Sequence, residues 1–310
     1  MALQSLVHIR KALNTLNPNQ VRELSSKPVH ITLHGPNDSA YREMEDFFLQ
    51  DLRPVRRRES AELISRGERT VSLPGDEVVV YHRGSLAPTN ALIFDPSQPE
   101  DMIRAALHQH SDAGIPLSRS FFPFRKPFIK QVIARTSREN TLFSLTTALP
   151  DVIPSLIELP WSVAEFASDT AFLTMNQVRM AFLIAAASDR DIGYREQKSE
   201  IATVIGSAFG WRALAKQIIG KIPFGGGLIG KAAVAYAGTK VLGLSLDHFY
   251  SIGFTYSRAE RDRLYADAFR QGKKVAFRIL SHTRPDIAKF FTDDPDAKRR
   301  GASQVSPNET

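Results

Sequence analysis

The chain has no cysteine among its 310 residues. Disulfides, zinc–thiolate sites and thiol nucleophiles are excluded together, and a reducing compartment suits such a chain. Also missing is the grip for a nucleoside triphosphate. The strand-like run Val29–His34 leads into Gly35-Pro36-Asn37-Asp38-Ser39. A phosphate loop needs G-x-x-x-x-G-K-[ST] at this point, and neither the second glycine nor the lysine is there. The eight histidines are scattered, no H-E-x-x-H occurs, and Ser207 in GSAFG has the wrong order for a nucleophile elbow. No polar recognition helix is evident, so sequence-specific nucleic-acid binding is not expected. No uninterrupted apolar run reaches the roughly 18 residues of a clean membrane span. The nearest runs are Thr170–Ser188, broken by Arg179, and Ile222–Leu246, broken by Lys231 and Lys240. A charge at mid-membrane costs about 2.5–3.5 kcal/mol, which makes spanning unfavourable as the default.

What is present is a sizeable apolar fraction, 43%, and a net charge of +7. The first is enough for a core. The second favours anionic lipid, nucleic acid or acidic proteins as partners. The first residues alternate leucines with Arg10 and Lys11 and lack a signal-peptide pattern, so a cytoplasmic protein is expected, at or in the inner membrane if it meets lipid.

Along the chain, residues 1–26 form an amphipathic helix. Residues 27–113 make a small α/β domain, with strands at Val29–His34, Glu77–His82 and Asn90–Phe94. Asn37, Asp38 or Ser39 caps its first helix, and Asp95 caps a turn or the second helix. The basic run from Arg53 to Arg69 reads as a solvated helix face. Residues 114–127 hold three prolines and FFPF and mark a hinge. Helical segments follow over 128–255, further helices over 256–292, and a polar tail over 293–310. Glu165 and Asp169 share a helix face, and ion pairs to Arg179, Arg195 or Lys198 are the expected use of the acids in this region. The fold class is therefore α+β: a small α/β domain, either a degenerate G-like domain or an unrelated one, then an all-helical domain.

The stretch Gly206–Gly243 organises the second part. Ile201, Val204, Ile205, Ala208, Trp211, Ala215, Ile218 and Ile219 lie on one helix face. After the break Pro223–Gly227, residues 228–246 are small or apolar except for Lys231 and Lys240. A helix apolar nearly all round must be buried in protein or lipid. The runs ALPDVIP (Ala148–Pro154), TAFLTMNQVRMAFLIAAASDR (Thr170–Arg190), GSAFGWRALAKQIIG (Gly206–Gly220), PFGGGLIGKAAVAYAGTKVLG (Pro223–Gly243) and the Tyr250 to Gly253 ending resemble the YcjF-like domain of unknown function over about residues 125–255. That bacterial helical domain often accompanies Era-like small GTPases, and some members are membrane-associated. The resemblance implies no catalytic residues and no cofactor.

These observations lead to a non-enzymatic, membrane-peripheral or protein-interaction module of GTPase-associated type, with no nucleotide hydrolysis of its own. Lys216, Lys221 and Lys231 would meet lipid phosphates or an acidic partner, with Phe224, Gly225, Gly226 and Gly227 as the contact tip. A small GTPase, an anionic membrane surface and a like subunit are the partners considered. Two alternatives stand beside this one. The first is a nucleotide or small-ligand binder using the cleft between domains. The second is a soluble self-associating scaffold.

Overall fold

A computed structural model describes residues 2–67, 77–148, 169–206, 226–285 and 288. The front half is built on alternation. Ile31 and Leu33 of β1 (His30–His34), Val78 and Val80 of β3 (Glu77–His82), and Leu92 and Phe94 of β4 (Leu92–Phe94) are buried on one face of the sheet. A short β2 (Ile64–Arg66) completes a fully parallel sheet of order β2-β1-β3-β4. β2 lies inside the basic run expected to be helical. Leu63 O and Gly67 N bond to β1 on either side of it, so its strand character comes from its neighbour. Five helices accompany the sheet: α1 (Ala2–Thr15), α2 (Pro18–Ser26), α3 (Asp38–Leu49), α4 (Pro54–Ala61) and α5 (Pro99–Gln109). Asn37 caps α3 by accepting from Ala40 N at 3.0 Å, and Asp95 closes a turn on Ser97 N and Oγ. Both match the sequence expectation.

The rest is helical: α6 (Gly114–Ser120), α7 (Phe122–Thr146), α8 (Asp169–Ala187), α9 (198–206), α10 (Gly226–Ile252) and α11 (Arg258–Thr283). The α+β expectation holds. The hinge does not. Residues 114–127 are the start of α6 and α7, and Ile115, Leu117, Phe121 and Phe124 are buried. Pro116 and Pro123 sit in first turns, where a missing N–H leaves no bond unmade. Gly114 lets the Phe128 ring approach to 2.6 Å of where a Cβ would stand. The sheet residues, these phenylalanines, and Phe172 and Phe182 of α8 form one continuous core.

The N-terminal helices dock on that core. Ile9, Ala12, Leu16 and Val21 are buried, and α1 and α2 both pack on α8. Tyr194 Oη donates to Leu13 O and Leu16 O, satisfying carbonyls at the end of α1.

The charge-poor segment expected at 228–246 is α10, in which Gly226, two residues earlier, is already helical. It lies among α7, α8 and α11. Two glycines permit that closeness: a Cβ on Gly243 would stand 2.6 Å from Ile133, and one on Gly272 of α11 2.9 Å from Ala233 O. Backbone cannot yield as a side chain can. Gly272→Ala is therefore expected to lower stability by about 1–2 kcal/mol despite alanine's better helix propensity, measured as a drop in urea midpoint. An unchanged or raised midpoint would mean that α10 and α11 are not in backbone contact. At mid-length, Asn140 of α7, Asn176 and Gln177 of α8 and Thr239 of α10 form a buried polar layer. The break at 223–225, the helical residues from 207, the Glu165–Asp169 side chains and the tail 293–310 lie outside the described residues.

Candidate functional site

In an open parallel sheet of this order, a ligand would sit beyond the carboxyl ends of β1 and β3, where the strand order reverses. Here the chain's own groups fill that crevice. The His34 ring stacks on Tyr81 with centroids 4.6 Å apart, and it also covers Gly67. Ser85 Oγ donates to His34 O at 2.9 Å. At the head of α3, Arg66 bonds Glu45 and Asp38 and lies over the Tyr41 ring. The Glu45 hydrogen bond above all holds the Arg66 guanidinium above its usual pKa, against desolvation. Asp38 and Glu45 bring negative charge to the place where a phosphate would go.

The larger concavity lies on another side. A cavity of about 900 Å³ opens between the α3–α4 loop, the start of α7, the end of α8 and the end of α10. Six basic side chains line it, Arg53, Arg56, Arg125, Lys126, Lys130 and Arg190, against three carboxylates, Asp51, Asp189 and Asp247. Asp189 is already engaged. It takes the left-handed conformation at the end of α8 (φ 56°), accepts from Arg56 Nη2 at 2.6 Å and forms an ion pair with Arg119 Nε at 3.1 Å. Among the described residues, Arg53, Lys126, Lys130 and Arg190 form no ion pair at all.

Arg125 is the least solvated of these cations. Its guanidinium lies over the Phe122 ring, 5.2 Å from the centroid, and its Nε reaches Ser118 O only at 3.5 Å. Burial pushes its pKa down, Asp189 opposes that, and the charges of Arg190 and Arg56 add to it. Burial raises the Asp247 carboxyl, which Lys126, His248 and Lys130 partly offset. The Tyr250 hydroxyl donates to Glu200 at 2.9 Å, and burial with that neighbouring charge raises its pKa. Leu244, Ile252 and Tyr256 supply an apolar wall.

A second cavity of about 600 Å³ adjoins the first and shares Arg56 with it. Its cations are largely answered from within: Arg22 bonds Ile192 O and Asn19, Arg56 bonds Glu59 and Asp189, and Arg119 bonds Asp189. No group of three or more histidines and carboxylates able to hold a metal ion occurs among the described residues.

No family model, no curated protein and no solved structure matches this chain.

Of the contact residues expected from the sequence, Lys216, Lys221, Phe224 and Gly225 lie outside the described residues. Gly226, Gly227 and Lys231 open α10, with Lys231 half-buried. The cavity is at the other end of that helix. Lys231 and Tyr250 are 19 positions apart, about 28 Å along the axis. Sequence reasoning missed the cavity's own residues. The signal was Arg125-Lys126 and Lys130 within the FFPFRKPFIK run, whose first seven residues fall in the expected hinge 114–127.

Proposed function

We propose that the protein is a non-enzymatic docking module that engages an anionic membrane surface through the mouth of the larger cavity. One observation carries this: four cations without an ion pair among the described residues, Arg53, Lys126, Lys130 and Arg190, share that mouth with exposed apolar side chains. Phe122 is 39% exposed, Ile252 56% and Phe254 74%. Gly253 holds a left-handed turn (φ 82°) between the last two, with Ile252 closing α10 and Phe254 just past it. Cations flanking exposed aromatic and aliphatic groups suit a lipid headgroup layer. The long apolar helix α8 does not suggest insertion, because most of it is buried beneath its neighbours. The resemblance of residues 125–255 adds a small GTPase as the partner such a platform would serve, and that part rests on sequence wording alone.

Each basic group near an anionic bilayer contributes about 1 kcal/mol, so the four together give roughly a thousandfold in partition. The protein is expected to float with phosphatidylcholine vesicles containing phosphatidylglycerol, to stay behind with phosphatidylcholine alone, and to detach at high salt. Ile252→Ser with Phe254→Ser is expected to weaken flotation about tenfold or more without changing the salt dependence. Complete recovery of the wild-type protein in the soluble fraction at low salt would overturn the proposal.

A further inference from the structure

We infer that the cavity behind this mouth is a phosphate-monoester site, with the Arg125 guanidinium as its recognising group. The inference rests on the docking proposal for the direction from which a ligand arrives, and on independent geometry for what the ligand is. A guanidinium withdrawn from water needs an anion to offset lost hydration. Arg125 has no carboxylate within ion-pair distance among the described residues. The carboxylate that acts on it most, Asp189, is already ion-paired with Arg56 and Arg119. Arg190 and Arg56 stand close enough to disfavour its charge further. Around Arg125 the cavity thus sets two further guanidiniums, Arg56 and Arg190, against one carboxylate, Asp189, that Arg56 already engages.

A terminal phosphate suits that surplus. It carries close to two negative charges near neutral pH, where a diester carries one, and offers three acceptor oxygens. Its geometry matches the planar fork of arginine, which bonds it through two parallel N–H groups. The volume, about 900 Å³, exceeds what a phosphate needs. Leu244, Ile252 and Tyr256 wall the remainder, so the phosphate would carry an organic body. That body is either the glycerol and acyl chains of a lipid such as phosphatidic acid, or a soluble phosphate ester. Both present the same dianionic group to Arg125.

The experiment uses the full chain in two arms. The first compares flotation with vesicles bearing phosphatidic acid and vesicles bearing phosphatidylglycerol, matched for surface potential. The second titrates glycerol 3-phosphate by calorimetry. A lipid source predicts about ten- to hundredfold preference for phosphatidic acid at equal surface potential. A soluble source predicts saturable binding of glycerol 3-phosphate. Arg125→Gln is expected to abolish the preference or the binding while leaving charge-dependent flotation on phosphatidylglycerol. Arg190→Gln, on an exposed side chain that cannot compromise folding in the same way, is expected to weaken it partially. Flotation on both vesicle types without preference, together with no heat from glycerol 3-phosphate, would overturn this inference and leave the docking proposal standing. Glycerol 3-phosphate binding that is lost in Arg125→Gln, without any flotation, would uphold the site and overturn the docking. An Arg125→Gln protein that folds and keeps full preference would also overturn the site.

Discussion

Truncating Phe124 to alanine is expected to remove about 3–5 kcal/mol of stability, the usual range for a fully buried phenylalanine. Phe124 has no exposed surface. Its ring stacks parallel to that of Phe48 in α3 with centroids 6.1 Å apart, and Phe121 meets Phe48 edge-on at 5.9 Å. Through this trio the start of α7 is bonded into the layer of helices that covers the sheet. Two domains joined by a hinge would give two unfolding transitions and a small effect of Phe124→Ala. A single shared core predicts one urea transition for the wild-type chain, and a midpoint that falls sharply in the variant with little change in slope. A loss below about 1 kcal/mol, or two resolved transitions in the wild type, would restore the hinge.

The same residues explain where the sequence was legible. β1, β3 and β4 announced themselves because one sheet face is buried and apolar while the other is polar, as at the buried Thr32, or half-buried to open, as at Ile93, 39% exposed. Apolar and other residues alternate under that condition. The burial of α10 followed from its having almost no charge to place in water. β2 was hidden, since three residues ending in Arg66 carry no alternation and become a strand only beside β1. FFPF misled for a different reason. Pro123 is harmless in the first turn of α7, Pro127 is accommodated inside the same helix, and composition cannot say which turn a proline occupies. The cavity was the least legible feature. Its lining comes from four stretches, 51–56, 122–130, 188–190 and 244–256, each of which looks like an ordinary charged surface until folding sets them face to face.

Asn140→Leu is expected to cost about 2–4 kcal/mol, although leucine is close to asparagine in size and more apolar. Asn140 is fully buried. Its Nδ2 donates to Thr239 Oγ1 at 2.8 Å, and its Oδ1 accepts from Asn176 Nδ2 at 2.9 Å. Leucine would take away a bond from both neighbours inside the core, and each buried group left short costs about 1–3 kcal/mol. Asn176 Nδ2 would keep only Glu139 Oε2 and Thr239 Oγ1 only Gln177 Nε2, in a layer where Asn176 Oδ1 and Gln177 Oε1 already have no donor among the described residues. Removing both ends of the α7–α10 bond should be milder than the sum of its parts. Asn140→Leu with Thr239→Val is expected to lose about 1–2 kcal/mol less than the two single variants added together. Strict additivity, or a single-variant loss under about 0.5 kcal/mol, would mean that the bond holds little. The consequence reaches the cavity. Arg125 is 15 positions before Asn140 on α7, and Tyr250 is 11 positions after Thr239 on α10, about 22 and 16 Å along their axes. One buried amide–hydroxyl contact therefore fixes the register of the two helices whose ends carry the recognising guanidinium and the opposite wall. In Asn140→Leu, weakened phosphate-ester binding should accompany the lost stability while every cavity side chain is retained.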